Sequence, residues 1–304
     1  MITLSSSPLP SPPAGWFSYR YFLLSDGALG LLWTDRDIDA ELRMGRHGAP
    51  DASFPVKGRN FWSGTAQLVR VTANGASDPL AVALCPYPEI DRFPDGRWLV
   101  ASARASAEES NASILDQRGH EVRSFPLGDG IEHVRCAQDG TIWVGYFDEG
   151  VFGDPVGAGG IVRFDAHGQP LWSYNHANLS ARSFVDDCYA LTLDGDEVWS
   201  CFYSGFPIVR VTGRDISLWR NSLSGVKALA VDDGFVLLAG GYGDNADRLA
   251  LLKLEQGQAR LIGSLASLEI EDAELVAGNS SVLHIVRDNI WKQISVSQAR
   301  TYFS

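Results

Sequence analysis

The sequence predicts an all-β protein, a six-bladed β-propeller of four-stranded antiparallel blades. Three observations predict it. A unit of two paired hairpins recurs six times, at a spacing of about 40 residues where it is uninterrupted, the length of a propeller blade. The 304 residues include 31 glycines and nine tryptophans, as expected for many short strands joined by many tight turns. Each unit is also too small to bury both faces of its own sheet, whereas units packed in a ring can.

The clearest copy runs from residue 131 to 174. IEHVRCAQDGTIWVGY is an apolar strand, an Asp-Gly turn and a second strand, and GGIVRFDAHGQPLWSY is a second hairpin turning near His167-Gly168. Asp139-Gly140 reads as a two-residue turn, which sets Cys136 opposite Trp143. Inner hairpins recur at 16–33, 89–103, 187–203, 225–241 and 273–286, and outer hairpins at 66–84, 112–125, 207–220, 249–265 and 289–303. The last outer hairpin, NIWKQISVSQARTYF, reads as carrying both outer strands of blade six. Residues 1–15 form a Pro/Ser-rich segment before a ring spanning 16–304, with Pro8 to Pro13 an extended tether. Met1 to Ser7 either add an outer strand or clasp the ring.

Units such as DGTIWVGY and DGRWLVAS resemble the repeats of bacterial sensor propellers, of NHL repeats and of gluconolactonase-like hydrolases. The stretch YFDEGVFG, Tyr146 to Gly153, resembles a group of bacterial propellers without an assigned function. These resemblances imply the architecture and transfer no catalytic residue.

Composition excludes some functions. The net charge of −12, without a basic run, repels phosphate backbones and argues against nucleic acid as a partner. No stretch has the length and apolarity of a membrane span, and the first residues lack a secretory pattern, so the expectation is a cytoplasmic protein. The four cysteines (Cys85, Cys136, Cys188 and Cys201) have no metal-type spacing and read as small buried hydrophobes. A two-residue turn at Asp194-Gly195 sets Cys188 opposite Cys201.

Long connections fall on one rim: 35–64, FDEGVFGDPVGAG, YGDNADR, 175–187 and 264–272. Binding residues gather on such one-sided loops, so this top face is the functional candidate. Residues that begin inner strands line the axial mouth: Arg20, Asp91, Glu132, His133, Asp187, Lys227 and Glu274. They either bind a polar ligand or pair off as a solvated rim. Asp148, Glu149 and Asp154 share one loop and Asp244, Asn245 and Asp247 another; each set has oxygen ligands of the kind Ca²⁺ takes, or is a polar turn. Trp33, Tyr146, Phe147, Tyr203 and Tyr242, with Phe206 and Trp62, form either an apolar ligand wall or blade-seam packing. Among the histidines, His120 and His167 fall in bottom turns, His47 and His176 in top loops and His284 in a packed strand. His133 is nearest the axis and is the candidate acid–base group.

Two functions follow. One is a binding or scaffold propeller that holds a partner protein or a small ligand through its top loops and mouth. The other, implied by the gluconolactonase-like resemblance, is a metal-dependent hydrolase with Glu132, Asp187 and Glu274 holding a divalent ion such as Ca²⁺ and His133 as base. No nucleophile motif accompanies either reading.

Overall fold

A computed structural model describes residues 4–41, 64–106, 109–177, 183–266 and 269–304. Strand β1 (Ser5–Pro8) opens the chain. Blade one then follows as β2 (Phe17–Leu23), β3 (Leu29–Thr34) and β4 (Thr65–Thr72), with a broken outer edge of β5 (Gly75–Ala76) and β6 (Leu80–Ala83). Blade two is β7 (Pro88–Arg92), β8 (Trp98–Ser102), β9 (Ala112–Leu115) and β10 (Glu121–Phe125). Blade three is β11 (Ile131–Cys136), β12 (Ile142–Tyr146), β13 (Ile161–Phe164) and β14 (Pro170–Ser173). Blade four is β15 (Asp187–Asp194), β16 (Glu197–Tyr203), β17 (Ile208–Thr212) and β18 (Asp215–Trp219). Blade five is β19 (Ala228–Asp232), β20 (Phe235–Ala239), β21 (Arg248–Glu255) and β22 (Gln258–Ala266). Blade six is β23 (Leu275–Asn279), β24 (Val282–Arg287), β25 (Ile290–Ser295) and, from the far end of the chain, β1.

Hydrophobic burial follows this division. Each seam between neighbouring blades holds its own core, such as Phe93, Leu99, Val134, Val144 and Phe164 between blades two and three, or Trp199, Ile208, Val231 and Leu238 between blades four and five. A strand's two faces thus serve two different seams, so strands such as β3, β8 and β12 are buried at every residue. Such strands read as continuous apolar runs, and their hairpin turns supply the boundaries.

The turns correct the expected register. At Asp139-Gly140 the chain makes a three-residue loop closed by Ala137 N donating to the Thr141 carbonyl at 2.8 Å. Gly140 takes φ +79°, which a side chain rarely tolerates. Cys136 therefore faces Ile142, and Trp143 faces Arg135. In blade four, Asp194 pairs with Glu197, and a bulge lies between Asp187 and Ala190. Cys201 consequently faces Ala190 and not Cys188. All four cysteines are free thiols.

Ring closure uses the outer strand expected as one alternative for the first residues, and departs from the reading that both outer strands of blade six lie at the C-terminus. The C-terminal stretch forms only one strand, β25, and then the helix Val296–Phe303, whose capping box joins Ser295 and Gln298. The fourth strand is β1, paired antiparallel with β25 from Ser5↔Gln293 to Pro8↔Ile290. The first fifteen residues therefore include an integral strand of blade six. Leu9 continues the zip, donating its amide to Asn289 O at 2.9 Å, and buries its side chain against Leu23, Trp33 and Trp291 in the seam between blades six and one. Joining the two ends of the chain in one blade locks the ring.

At the bottom end of the axis, inner-strand ends bond across blades. Asp91, fully buried near the end of β7, accepts from Ser25 N of blade one at 2.7 Å, from Ser25 Oγ, and from Cys136 N of blade three at 2.6 Å. Opposite, Thr192 Oγ1 donates to Gly278 O at 2.8 Å and Ser280 N to Leu193 O at 3.0 Å, tying blade four to blade six. Val231 N reaches Ser280 O at 2.8 Å, and Asn279 Nδ2 reaches Leu24 O at 3.3 Å, adding blades five and one. A side chain at Gly278 would collide with the Leu229 carbonyl.

Replacing Asp91 by alanine strands the Ser25 and Cys136 amides, each worth about 1–3 kcal/mol when buried unpaired. A loss of about 3 kcal/mol or more is expected in urea unfolding; a loss under about 1 kcal/mol would show the floor to be incidental. Leu9→Ala is expected to destabilise by about 2–3 kcal/mol through its cavity in the closing seam, measurable in the same assay.

Candidate ligand site at the axial mouth

Above this floor the inner strands enclose an axial cavity of about 220 Å³. All six blades line it, and its charged residues are Arg20, Glu89, Glu132, Arg135, Lys227 and Glu274. A second cleft of about 380 Å³ opens between blades two and three, lined by Tyr87, Ala103, Arg104 and Phe147. It shares Arg20, Glu89 and Glu132 with the axial cavity, so the two spaces adjoin at these side chains.

The loops around the mouth are braced from within. Asn111 donates Nδ2 to Ser102 O and Gly128 O, both at 2.8 Å, and accepts from Leu127 N. Asn175 does the same between Ala158 O, Val185 O and Val185 N, and Asn221 between Phe206 O, Leu223 O and Leu223 N. The loop after β12 folds into the helix Asp148–Gly153 and packs by glycine contact. A side chain at Gly150 would strike the Asp129 carbonyl and Gly130.

Crowding of carboxyls on one side of the mouth shapes its electrostatics. Burial, then Glu132, pushes the Glu89 pKa up to about 8 against the pull of Arg135 and Arg20. Burial and Asp187 raise Glu132 to about 7, and burial with Asp148 and Asp186 raises Asp187 to about 6. These groups exchange protons near neutrality. His133 moves the other way: burial and the Arg135 guanidinium lower it to about 3, which leaves its ring neutral. A general base works best with a pKa near the working pH, so His133 is poorly matched to that role.

Of the other expected site residues, Asp91 belongs to the floor, three residues inside β7, because β7 already begins at Pro88. Tyr146 is also no ligand wall: it is fully buried, and its hydroxyl donates to Leu127 O within the seam. Lys227 sits at the mouth with Nζ 3.4 Å from Glu271 O and 3.5 Å from Ile270 O. Glu274 lines the cavity and also accepts from Asp288 N at 3.3 Å. Glu149 pairs with Arg104, whose guanidinium also meets Asp129 at 3.0 Å and lies over the Phe147 ring at 5.4 Å. Tyr203 and Tyr242 are half exposed on the rim of blades four and five. His284 is a packing residue, accepting from Trp291 Nε1 at 3.1 Å. His47 and Trp62 lie outside the described residues.

The donor sets do not fit a metal ion. Asp148 Oδ1 accepts from Glu149 N, Asp154 Oδ1 from Val156 N and Gly157 N, and Asp247 Oδ1 from Glu271 N. Among the described residues no group of three or more His, Cys, Asp or Glu side chains gathers as a metal site, and Glu132, Asp187 and Glu274 form no such group. Sequence reasoning missed Glu89 and Arg135. The expectation rested on where each inner strand begins, whereas successive residues of an inner strand, such as Arg20 to Leu23, line the cavity together.

Comparison with known proteins supports the architecture. Residues 161–259, from β13 into β22, match the YxzG family. No curated protein sequence matches the chain. Among solved structures, a catalytically inactive virginiamycin B lyase from Staphylococcus aureus, crystallised with quinupristin, has 13% identity and a TM-score of 0.50, over 96% of this chain and 99% of that one. A putative oxidoreductase (glucose dehydrogenase) from Thermus thermophilus has 14% identity and a TM-score of 0.50, over 96% and 100%. The extracellular domain of a putative one component system from B. thetaiotaomicron has 10% identity and a TM-score of 0.50, over 98% of this chain and 42% of that one. These likenesses share the fold across proteins of different activity. No helix among the described residues is long and apolar enough to cross a membrane.

The raised Glu89 has a thermodynamic consequence. A carboxyl whose folded-state pKa lies above its unfolded value contributes stability below the unfolded value of about 4.5 and loses it as pH rises toward 8. Glu89→Gln should therefore raise the melting temperature at pH 8.5 and leave it nearly unchanged at about pH 4. An equal shift at both pH values would show that Glu89 is not held in this environment.

Proposed function

We propose that the protein is a binding propeller that holds a small zwitterionic molecule at the axial mouth of its top face. The observation that carries this reading is the charge arrangement around one enclosed space. In a ring of six, blade two lies across the axis from blade five, so Glu89 stands opposite Lys227. Arg20 and Arg135 add positive charge, and Glu132 and Glu274 add negative charge.

A ligand with an ammonium and a carboxylate group matches this pattern, the ammonium toward Glu89 and Glu132 and the carboxylate toward Lys227 across the axis. The adjoining cleft, with Tyr87, Ala103 and Phe147, supplies an apolar wall for the rest of the molecule. The combined volume suits something the size of an amino acid or dipeptide. Both signs of charge stand on strands that the seams hold in place, an arrangement suited to capturing a ligand and keeping its orientation.

Thermal-shift titration with free amino acids and short dipeptides tests the reading. At least one member should raise the melting temperature saturably, as binding to the folded state alone requires. Lys227→Met and Glu132→Gln should each weaken that binding by about tenfold, roughly the loss of one charge-assisted contact. Because Glu132 and Glu89 ionise near pH 7 and 8, affinity should rise as pH increases through that interval. No saturable shift with any zwitterion, or shifts indifferent to both substitutions, would overturn it.

A further inference from the structure

On the rim of blades four and five, four aromatic rings meet. Tyr189 lies on β15, Tyr203 ends β16, Phe206 follows it, and Tyr242 lies beyond β20. The Tyr189 ring stands 88° from Phe206 and 89° from Tyr242, and Phe206 stands 79° from Tyr242. The corresponding centroids are 5.1, 6.3 and 5.9 Å apart. Three ring planes thus point in three nearly perpendicular directions, as the sides of a box corner do. Tyr203 adds a further wall, 81° from Phe206 and nearly parallel to Tyr189.

A cation about 4 Å from each of three perpendicular ring faces needs centroids about 6 Å apart, and these separations are of that size. The corner is held in shape. The Tyr242 hydroxyl donates to the Tyr189 hydroxyl at 2.7 Å, Phe206 N donates to Phe202 O at 2.9 Å, and Asn221 fixes the Phe206 carbonyl at 3.0 Å. Seam packing accounts for Phe206, which is 4% exposed, but not for Tyr203 and Tyr242, which keep 46% and 50% of their surface open. The charge nearby is negative: Asp187 acts on Tyr189, and Asp148 and Asp186 act on Asp187. None of the three acids forms an ion pair among the described residues.

We propose that Tyr189, Tyr203, Phe206 and Tyr242, backed by Asp187, form a binding site for a small molecule carrying a trimethylammonium group. Methylation removes the N–H donors of an ammonium, so such a group gains from ring faces and a nearby carboxylate without leaving hydrogen bonds unmade. This site goes beyond the axial reading and rests on other side chains, so either stands if the other fails.

Calorimetric titration at fixed ionic strength, with tetramethylammonium and choline as probes and 3,3-dimethylbutan-1-ol as the uncharged carbon counterpart of choline, tests it. Choline should bind saturably and at least about tenfold more tightly than the neutral alcohol, the size of a partly desolvated cation–π contact. Tyr242→Leu, at a half-exposed position that spares the core, should weaken choline about tenfold and leave the axial ligand's affinity unchanged. Tyr203→Phe should retain binding, since only the ring face is needed. Equal affinity for the neutral alcohol, no saturation with either cation, or binding undiminished in a folded Tyr242→Leu protein would overturn the proposal.

Discussion

Six inner strands must approach one axis, and the polar groups at their ends then need partners from other blades. The Asp91 carboxylate resolves this for blades one to three, accepting from Ser25 and Cys136 in a fully buried position. Thr192, Ser280 and Asn279 do so for the remaining blades, mostly through backbone carbonyls. Buried polar groups of this kind are costly when unpaired and stiffening when paired, so the bottom of the ring has one arrangement. The seams fill outward from it, each with its own apolar core, and β1 completes the last blade from the opposite end of the chain.

A rigid floor forces charge together at the top. Glu89, Glu132 and Asp187 cannot separate without bending strands that the seams hold, and burial first, then neighbouring carboxylates, raises their pKa values to about 8, 7 and 6. Ligand charge can relieve this crowding, as Arg135 and Arg20 already do in part for Glu89. The buried braces Asn111 and Asn175 and the half-buried Asn221 extend the same rigidity to the rim, because each holds two or more loop backbone groups. The axial mouth and the aromatic corner are therefore built on fixed walls, which suits the binding roles proposed for them, since fixed walls lower the ordering penalty of binding.

Much of the architecture is legible in the chain itself. Six copies of a paired hairpin, punctuated by Asp-Gly turns, establish the blade number and the side on which the long loops fall. The placement of Lys227, Glu132 and Glu274 at the mouth follows from where each inner strand begins. The departures share a cause. A three-residue loop in place of a two-residue one moves Cys136 from Trp143 to Ile142, and a turn one residue later than expected, with Asp194 paired to Glu197, sets Cys201 against Ala190 and not Cys188, since a slip of one residue exchanges every neighbour. Asp91 falls to the floor for the same reason, because β7 begins at Pro88 and not at the acid itself.

The repeat is readable from the chain alone, because hydrophobic patterning and turn chemistry are local properties. Tertiary structure alone decided that Ser5–Pro8 completes blade six, that Asp91 supports the floor and that Glu89 and Arg135 face the same cavity. It also decided that Tyr189 and Tyr242 meet across a seam while Glu132, Asp187 and Glu274 gather no metal-ligand group. Those outcomes depend on distances between blades, and distances between blades are set by ring closure and packing, which no single repeat encodes.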